Sequence, residues 1–134
     1  MKNQQDTEST IRMIADYMEN GYLENIIDMF KHDIEYYQHI GTLLGDERMG
    51  VRIGTFALVE NLVDVKNNNL PASIPGLASL LKDPNVTIRG DAAHLLGIIG
   101  HRDALPYLEI ALNDENVLVR ENVTEAIEEI NSGS

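Results

Sequence analysis

The sequence predicts an all-α fold, an α-solenoid in which three helical repeats stack behind N-terminal capping helices. Two observations carry that reading. The first is an internal repeat: Leu81-Lys82-Asp83-Pro84-Asn85-Val86-Thr87-Ile88-Arg89 recurs 31 residues later as Leu112-Asn113-Asp114-Glu115-Asn116-Val117-Leu118-Val119-Arg120. The same offset sets Pro75 on Pro106, Leu77 on Leu108, Leu96 on Ile127 and Ile99 on Ile130, so a whole unit is repeated. A third copy, Leu44-Gly45-Asp46-Glu47-Arg48-Met49-Gly50-Val51-Arg52, lies upstream at an offset of 37, because Lys66-Asn67-Asn68-Asn69 lengthens the loop between. Three units are about the minimum for a stable stack. The second observation is the apolar period: Val86, Arg89, Ala92, Ala93, Leu96 and Ile99 recur at steps of three and four, which places them on one helical face. A strand would alternate.

In chain order the spacing predicts helices over 8–19, 22–31, 33–44, 47–64, 72–82, 85–99, 104–113 and 116–130. The first two lie in residues 1–33, which do not match the repeat. Their stripe Leu23, Ile26, Ile27 and Phe30 suits helices that cap an exposed first unit. The next six form the repeats, over 34–130. Asp83 reads as a helix N-cap with Pro84 at the first helical position, and Asp46 and Asp114 hold equivalent places. Gly100 reads as a C-cap. The final residues, 131–134, are small and polar and read as a disordered tail on a single domain spanning 1–134. One departure has a packing consequence. The first unit carries Thr55-Phe56 where the second has Ala92-Ala93 and the third Val123-Thr124, so the first unit's neighbours must pack less closely.

The residues Asp83-Pro84-Asn85-Val86, Arg89, Ala92-Ala93, Leu96-Gly97-Ile98-Ile99-Gly100 and Asp103-Ala104-Leu105-Pro106-Tyr107-Leu108 resemble the HEAT-like repeats first associated with phycobilisome lyases. The likeness covers 34–130. It implies paired antiparallel helices stacked into a right-handed curved layer, with the second helix of each pair lining the concave side. It implies little about activity, because scaffolds, adaptors and a few enzymes share the repeat.

Composition narrows the function classes. The chain has 134 residues, no Cys, and a formal net charge of −12 from 10 basic and 22 acidic residues. Disulfides and thiolate metal sites are therefore excluded. The charge is uneven: residues 1–44 carry 3 basic and 8 acidic groups (−5), residues 45–102 carry 6 and 6 (0), and residues 103–134 carry 1 and 8 (−7). A phosphate backbone would be repelled by both ends, so nucleic acid is excluded as the expected ligand. No apolar run of membrane-spanning or signal-peptide character occurs near the start, and the expected setting is soluble and cytoplasmic, with no membrane partner.

Three constellations are candidates for chemistry. His32, Glu35 and His39 stand at steps of three and four, a spacing that would gather two imidazoles and a carboxylate on one side of a helix. They lack a fourth ligand, and the expectation is no metal and no cofactor. The His-Glu pairs of the di-iron hydroxylases built on this repeat are missing, since Leu95 follows His94 and Arg102 follows His101. Asp46 with Arg52, Asp83 with Arg89 and Asp114 with Arg120 form an acid-base ladder at six-residue spacing. Its repetition in every unit points to architecture, each guanidinium bonding carboxylates and loop carbonyls at the turns. No catalytic residue is expected.

The third constellation faces away from the predicted core on the second helices. It holds Gly50, Ile53, Gly54, Ala57 and Asn61, then Thr87, Gly90, Asp91, His94 and Ile98, then Leu118, Glu121, Asn122, Glu125 and Glu129. Glycine within a helix costs about 1 kcal/mol relative to alanine, so Gly50, Gly54 and Gly90 call for a reason. The expected reason is close approach of another backbone. These residues therefore predict a non-catalytic interaction module, a scaffold or adaptor that grips a protein partner or a second copy of itself on a neutral concave stripe. The alternative is a metal- or cofactor-handling enzyme such as a bilin-lyase-like protein, which the repeat family alone suggests.

Overall fold

A computed structural model describes residues 4–133, and those residues contain helices and turns without strands. The chain runs α1 (Gln4–Glu19), α2 (Leu23–His32), a 3-10 segment (Ile34–His39) into α3 (Ile40–Leu44), then α4 (Met49–Asp64). It continues through α5 (Ile74–Ser79), flanked by 3-10 turns Leu70–Ser73 and Leu80–Lys82, then α6 (Val86–Ile99), α7 (Leu105–Ala111) and α8 (Val117–Ser132). The long helices α1, α4, α6 and α8 stack side by side in one layer. The short segments around α3, α5 and α7 form the second layer.

The repeat is written into the core. Val51, Ile88 and Val119 occupy equivalent positions and are all buried, as are Thr55, Ala92 and Val123, and Leu58, Leu95 and Ala126. Helices α1 and α2 pack against α4 and bury Ile14, Ala15, Met18, Ile26 and Phe30 there. They thus cover the side of the first repeat that no other repeat covers. Phe30 meets Tyr36 and Tyr37 with ring centroids 5.6 and 5.4 Å apart, which joins α2 to the 3-10 segment.

Three expectations need correction. The helix expected over 33–44 begins one residue later and in a tighter form, because Asp33 is extended (φ −146°) and its carboxylate accepts the Glu35 amide, opening a 3-10 segment that passes into α3. The aspartates expected to be N-caps lie further upstream. Asp46, Asp83 and Asp114 accept the amides of Arg48, Asn85 and Asn116, two residues on, in Asx turns. The caps themselves are Asn85, which accepts from Thr87, and Asn116, which accepts from Leu118 and Val119. The displacement is common to all three units, and in the second Pro84 only reinforces it, since the residue before proline is driven to extended backbone and Asp83 has ψ 143°. Finally, the tail is not wholly irregular. Asn131 and Ser132 continue α8, the Ser132 hydroxyl donates to the Glu129 carbonyl, and Gly133 closes the helix; Ser134 lies outside the described residues. Gly100 has φ 72° and is the left-handed C-cap expected of it.

The acid-base ladder bridges units at one rung. Arg89 donates through Nε to Asp114 at 2.8 Å in the next repeat, and through Nη1 to the carbonyls of Asp83 and Pro84 in its own. The two side chains are 11% and 8% exposed. Arg120 donates to the Asp114 carbonyl at 2.7 Å. Arg52 differs: among the described residues it makes no ion pair within 4 Å, and it reaches Asp46 and Asp91 only at longer range. In the first unit Arg48 takes over the bridging, to Asp46 and to Asp16 of α1.

Burial opposes ionisation of Asp114, but the Asn116 amide and the Arg89 guanidinium outweigh it and hold the carboxyl below its ordinary range. A carboxylate whose folded pKa is depressed stabilises the fold above its unfolded pKa of about 4 and loses that contribution as pH falls through the folded value. Arg89→Ala is therefore expected to cost about 3–5 kcal/mol, because it strands a buried carboxylate, while Arg52→Ala costs under about 1 kcal/mol. In a denaturation series run below pH 4, Asp114→Asn should flatten the acid-side loss of stability. Parallel curves for wild type and Asp114→Asn would contradict the assignment.

Candidate binding groove

The predicted outward residues divide into two groups once the long helices are stacked. Gly50, Gly54 and Gly90 turn toward neighbouring helices of the same chain. A Cβ on Gly54 would lie 3.3 Å from Met18 of α1, one on Gly50 would meet the Glu19 carboxylate, and one on Gly90 would lie 3.0 Å from the Asn122 amide of α8. The close approach expected from these glycines is present, but α1 and α8 supply it rather than a second protein. Ala57 and Asn61 are half-buried on α4, and the Asn61 carbonyl oxygen is buried with no hydrogen-bond partner among the described residues. Ile53, Thr87, Leu118 and Glu121 are exposed.

The remaining predicted residues frame an open groove. His94 and Ile98 of α6 and Asn122, Glu125 and Glu129 of α8, joined by Gly97, Ala126, Glu128 and Ser132 from outside the predicted stripe, line a trough of about 500 Å³. Its floor is where the two helices come closest: a Cβ on Gly97 would be 3.0 Å from the Cα and Cβ of Ala126. A second trough of about 470 Å³ runs between α4 and α6, lined by Glu60, Val63, Asp64, His94 and Ile98. His94 and Ile98 thus form the ridge between two furrows. Phe56, half-buried on α4, meets His94 with ring centroids 5.3 Å apart across the seam between α4 and α6. The looser packing expected beside Phe56 follows from this ring, which stands where the second repeat has Ala93.

The face is acidic, which corrects the expectation of a neutral stripe. Glu60 and Asp64 stand on the α4 wall and Glu125 and Glu129 on the α8 wall. The sequence pattern missed the first pair, because the repeat alignment stopped the stripe at Asn61. Asp91, half-buried at the foot of the ridge, has its carboxyl raised by burial, an effect that Arg52 and His94 partly offset. The basic residue of α8, Arg120, is already bonded to the Asp114 carbonyl.

The histidine-carboxylate trio is not assembled. The break at Asp33 separates His32 from Glu35 and His39; His32 lies 3.7 Å from Asp28, Glu35 is exposed, and burial lowers the His39 pKa. Among the described residues no group of three or more His, Cys, Asp or Glu is placed to hold a metal, and no helix is long and apolar enough to cross a membrane.

The family profile for HEAT repeats matches residues 56–132, more than half of the chain. No curated protein matches it.

The glycine assignment generates a test. If Gly54 faced solvent, Gly54→Leu would stabilise the helix by about 1 kcal/mol. Against Met18 the added side chain instead forces α1 outward, at about 1–3 kcal/mol of overpacking. Gly50→Ala meets only the movable end of Glu19 and should be neutral or mildly stabilising. Thermal midpoints and amide exchange in α1 report both, and a raised midpoint for Gly54→Leu would contradict the packing.

Proposed function

Because the chain belongs to the HEAT-repeat family, whose stacked helix pairs generally mediate protein–protein contacts, we propose that it is a non-catalytic module that holds a protein partner on the free face of α4, α6 and α8. The observation that carries the proposal is the pair of troughs on either side of His94 and Ile98. They are concave, Gly97, Ala126 and Val63 line them beside the apolar ridge residue Ile98, and carboxylates stand on both outer walls. Apolar floors with a polar rim are the anatomy of a protein contact.

The bonding of Arg89 to Asp114 and to the Asp83 and Pro84 carbonyls, and of Arg120 to the Asp114 carbonyl, supports an architectural role for those two charges. Catalysis would need different residues from different units gathered at one pocket. The charge of the troughs favours partners with basic segments and disfavours nucleic acid, since a phosphate backbone would face Glu60, Asp64, Glu125 and Glu129 at once.

The test places a photo-cross-linking amino acid at His94 or Glu125 in the troughs, and at Tyr107 or Glu109 on α7 in the opposite layer. The same protein should be captured from native lysate at both trough positions and at neither α7 position. Its yield should fall as added salt screens the carboxylates. Equal capture from α7, or no capture from the troughs, would refute the assignment.

A further inference from the structure

We propose that the hollow at the C-terminal ends of α4 and α6 is a second binding site, built for a carboxylate carried on a small branched apolar group. It stands apart from the two troughs and does not depend on what they hold. The hollow encloses about 310 Å³. Val63, Leu70, Pro71 and Ile99 give it an apolar side, while Lys66, His101 and two asparagine amides give it a polar one. No carboxylate lines it, although the chain carries a net charge of −12 and both troughs are walled by carboxylates.

The polar side is specific to the first repeat. Lys66-Asn67-Asn68-Asn69 has no counterpart between the second and third units, and Asn67 closes this loop by accepting the Asn69 amide through Oδ1 at 2.8 Å. The backbone N–H of Asn67 donates to the Leu62 carbonyl and that of Lys66 to the Val63 carbonyl, a Schellman end that puts Lys66 at φ 55°. At the end of α6 the left-handed place is taken by Gly100, φ 72°. A cation that served only the helix dipole could stand one residue earlier and leave glycine at the cap. Lysine in this strained place points instead to a use for its side chain. Among the described residues its ammonium has no ion-pair partner. Across the hollow, His101 Nδ1 accepts the Asp103 amide at 3.1 Å, which leaves Nε2–H as the ring's donor to a ligand.

An ammonium and an imidazole N–H select an oxyanion, and charge assistance strengthens both bonds. The apolar side selects what carries it. Inorganic phosphate and acetate leave that side empty. An Asp or Glu within a peptide spends its side chain on the acid and brings no apolar group on the same residue. A branched short-chain acid carries both groups, and so does the last residue of a chain that ends in Leu or Val. The volume lies at the small end of the range for ligand sites, which suits a unit of that size.

The full chain is titrated with 4-methylpentanoate and with acetyl-Ala-Ala-Leu, each as free acid and as amide, and amide NMR shifts are followed. At least one acid should bind with shifts confined to 66–71 and 99–103, and its amide should bind about five- to tenfold more weakly. Whichever acid binds more tightly identifies the source, a free acid or a chain end. Lys66→Gly should weaken the acid by the same factor and leave the amide unchanged. It should also hold or raise the thermal midpoint, because glycine adopts a positive φ without strain. Lys66→Gln, which keeps the strain and loses the charge, should weaken the acid equally, and Glu109→Gln on α7 should not. Acid and amide bound alike, an acid indifferent to Lys66→Gly, or no shifts from any probe at about 10 mM would each overturn the proposal. Acetate binding as tightly as 4-methylpentanoate would overturn it too, since the apolar side would then have no part in recognition.

Discussion

A Cβ on Gly97 would sit 3.0 Å from the Cα and Cβ of Ala126, and this contact between α6 and α8 fixes how the last two repeats lie together. Side chains larger than these would hold the helices apart, so the small pair sets the depth of the trough above it. At the turn that starts α8, the Arg89–Asp114 bridge fixes the same two repeats in register from below. Packing and ion pair thus act on opposite ends of one interface. The bridge is nearly dry, so it is costly to leave half-made.

The first repeat obeys a different rule. Phe56 stands where the second repeat has Ala93, and its ring meets His94 across the gap between α4 and α6. Arg52 does not bridge to the next turn as Arg89 does. The result is an open furrow beside a tight one, with His94 and Ile98 as the crest between. Asymmetry among the repeats therefore makes the face, since three identical units would have given two identical seams. The charge follows the same asymmetry. The 31-residue offset that aligns Gly90 with Glu121 turns the surface where α6 receives α8 into a solvated acidic surface on α8 itself. That far side of α8 is unsuited to receive a further helix closely.

Much of the fold was legible because it is encoded locally and more than once. The repeat offsets, the three-and-four apolar period and the left-handed cap at Gly100 all reappear in the structure. What was misread depended on neighbours distant in sequence. Gly54 in isolation reads as a site for an incoming partner, and only the position of Met18, 36 residues earlier, shows that the place is taken by α1. Glu60 and Asp64 were passed over because their importance comes from facing His94 and Ile98 across a furrow, which no spacing within α4 reveals. The Asx turns were mistaken for caps because Asp and Asn both cap helices; in all three units the aspartate accepts the amide two residues on, and the helix starts beyond that turn. The histidine trio failed for a related reason. Its spacing assumed an unbroken helix, and Asp33 breaks it.

The central claim is that the free face of α4, α6 and α8 is the binding surface, with the glycines used inside the stack. Amide hydrogen exchange of the full chain, alone and saturated with the partner captured at His94, tests it most directly. The account predicts new protection confined to α6 and α8 around His94–Ile98 and Asn122–Glu129 and to the end of α4 at Glu60–Asp64, with α2, α5 and α7 unchanged. Protection centred on α7, or on α1 and the Gly50–Gly54 turn of α4, would contradict it.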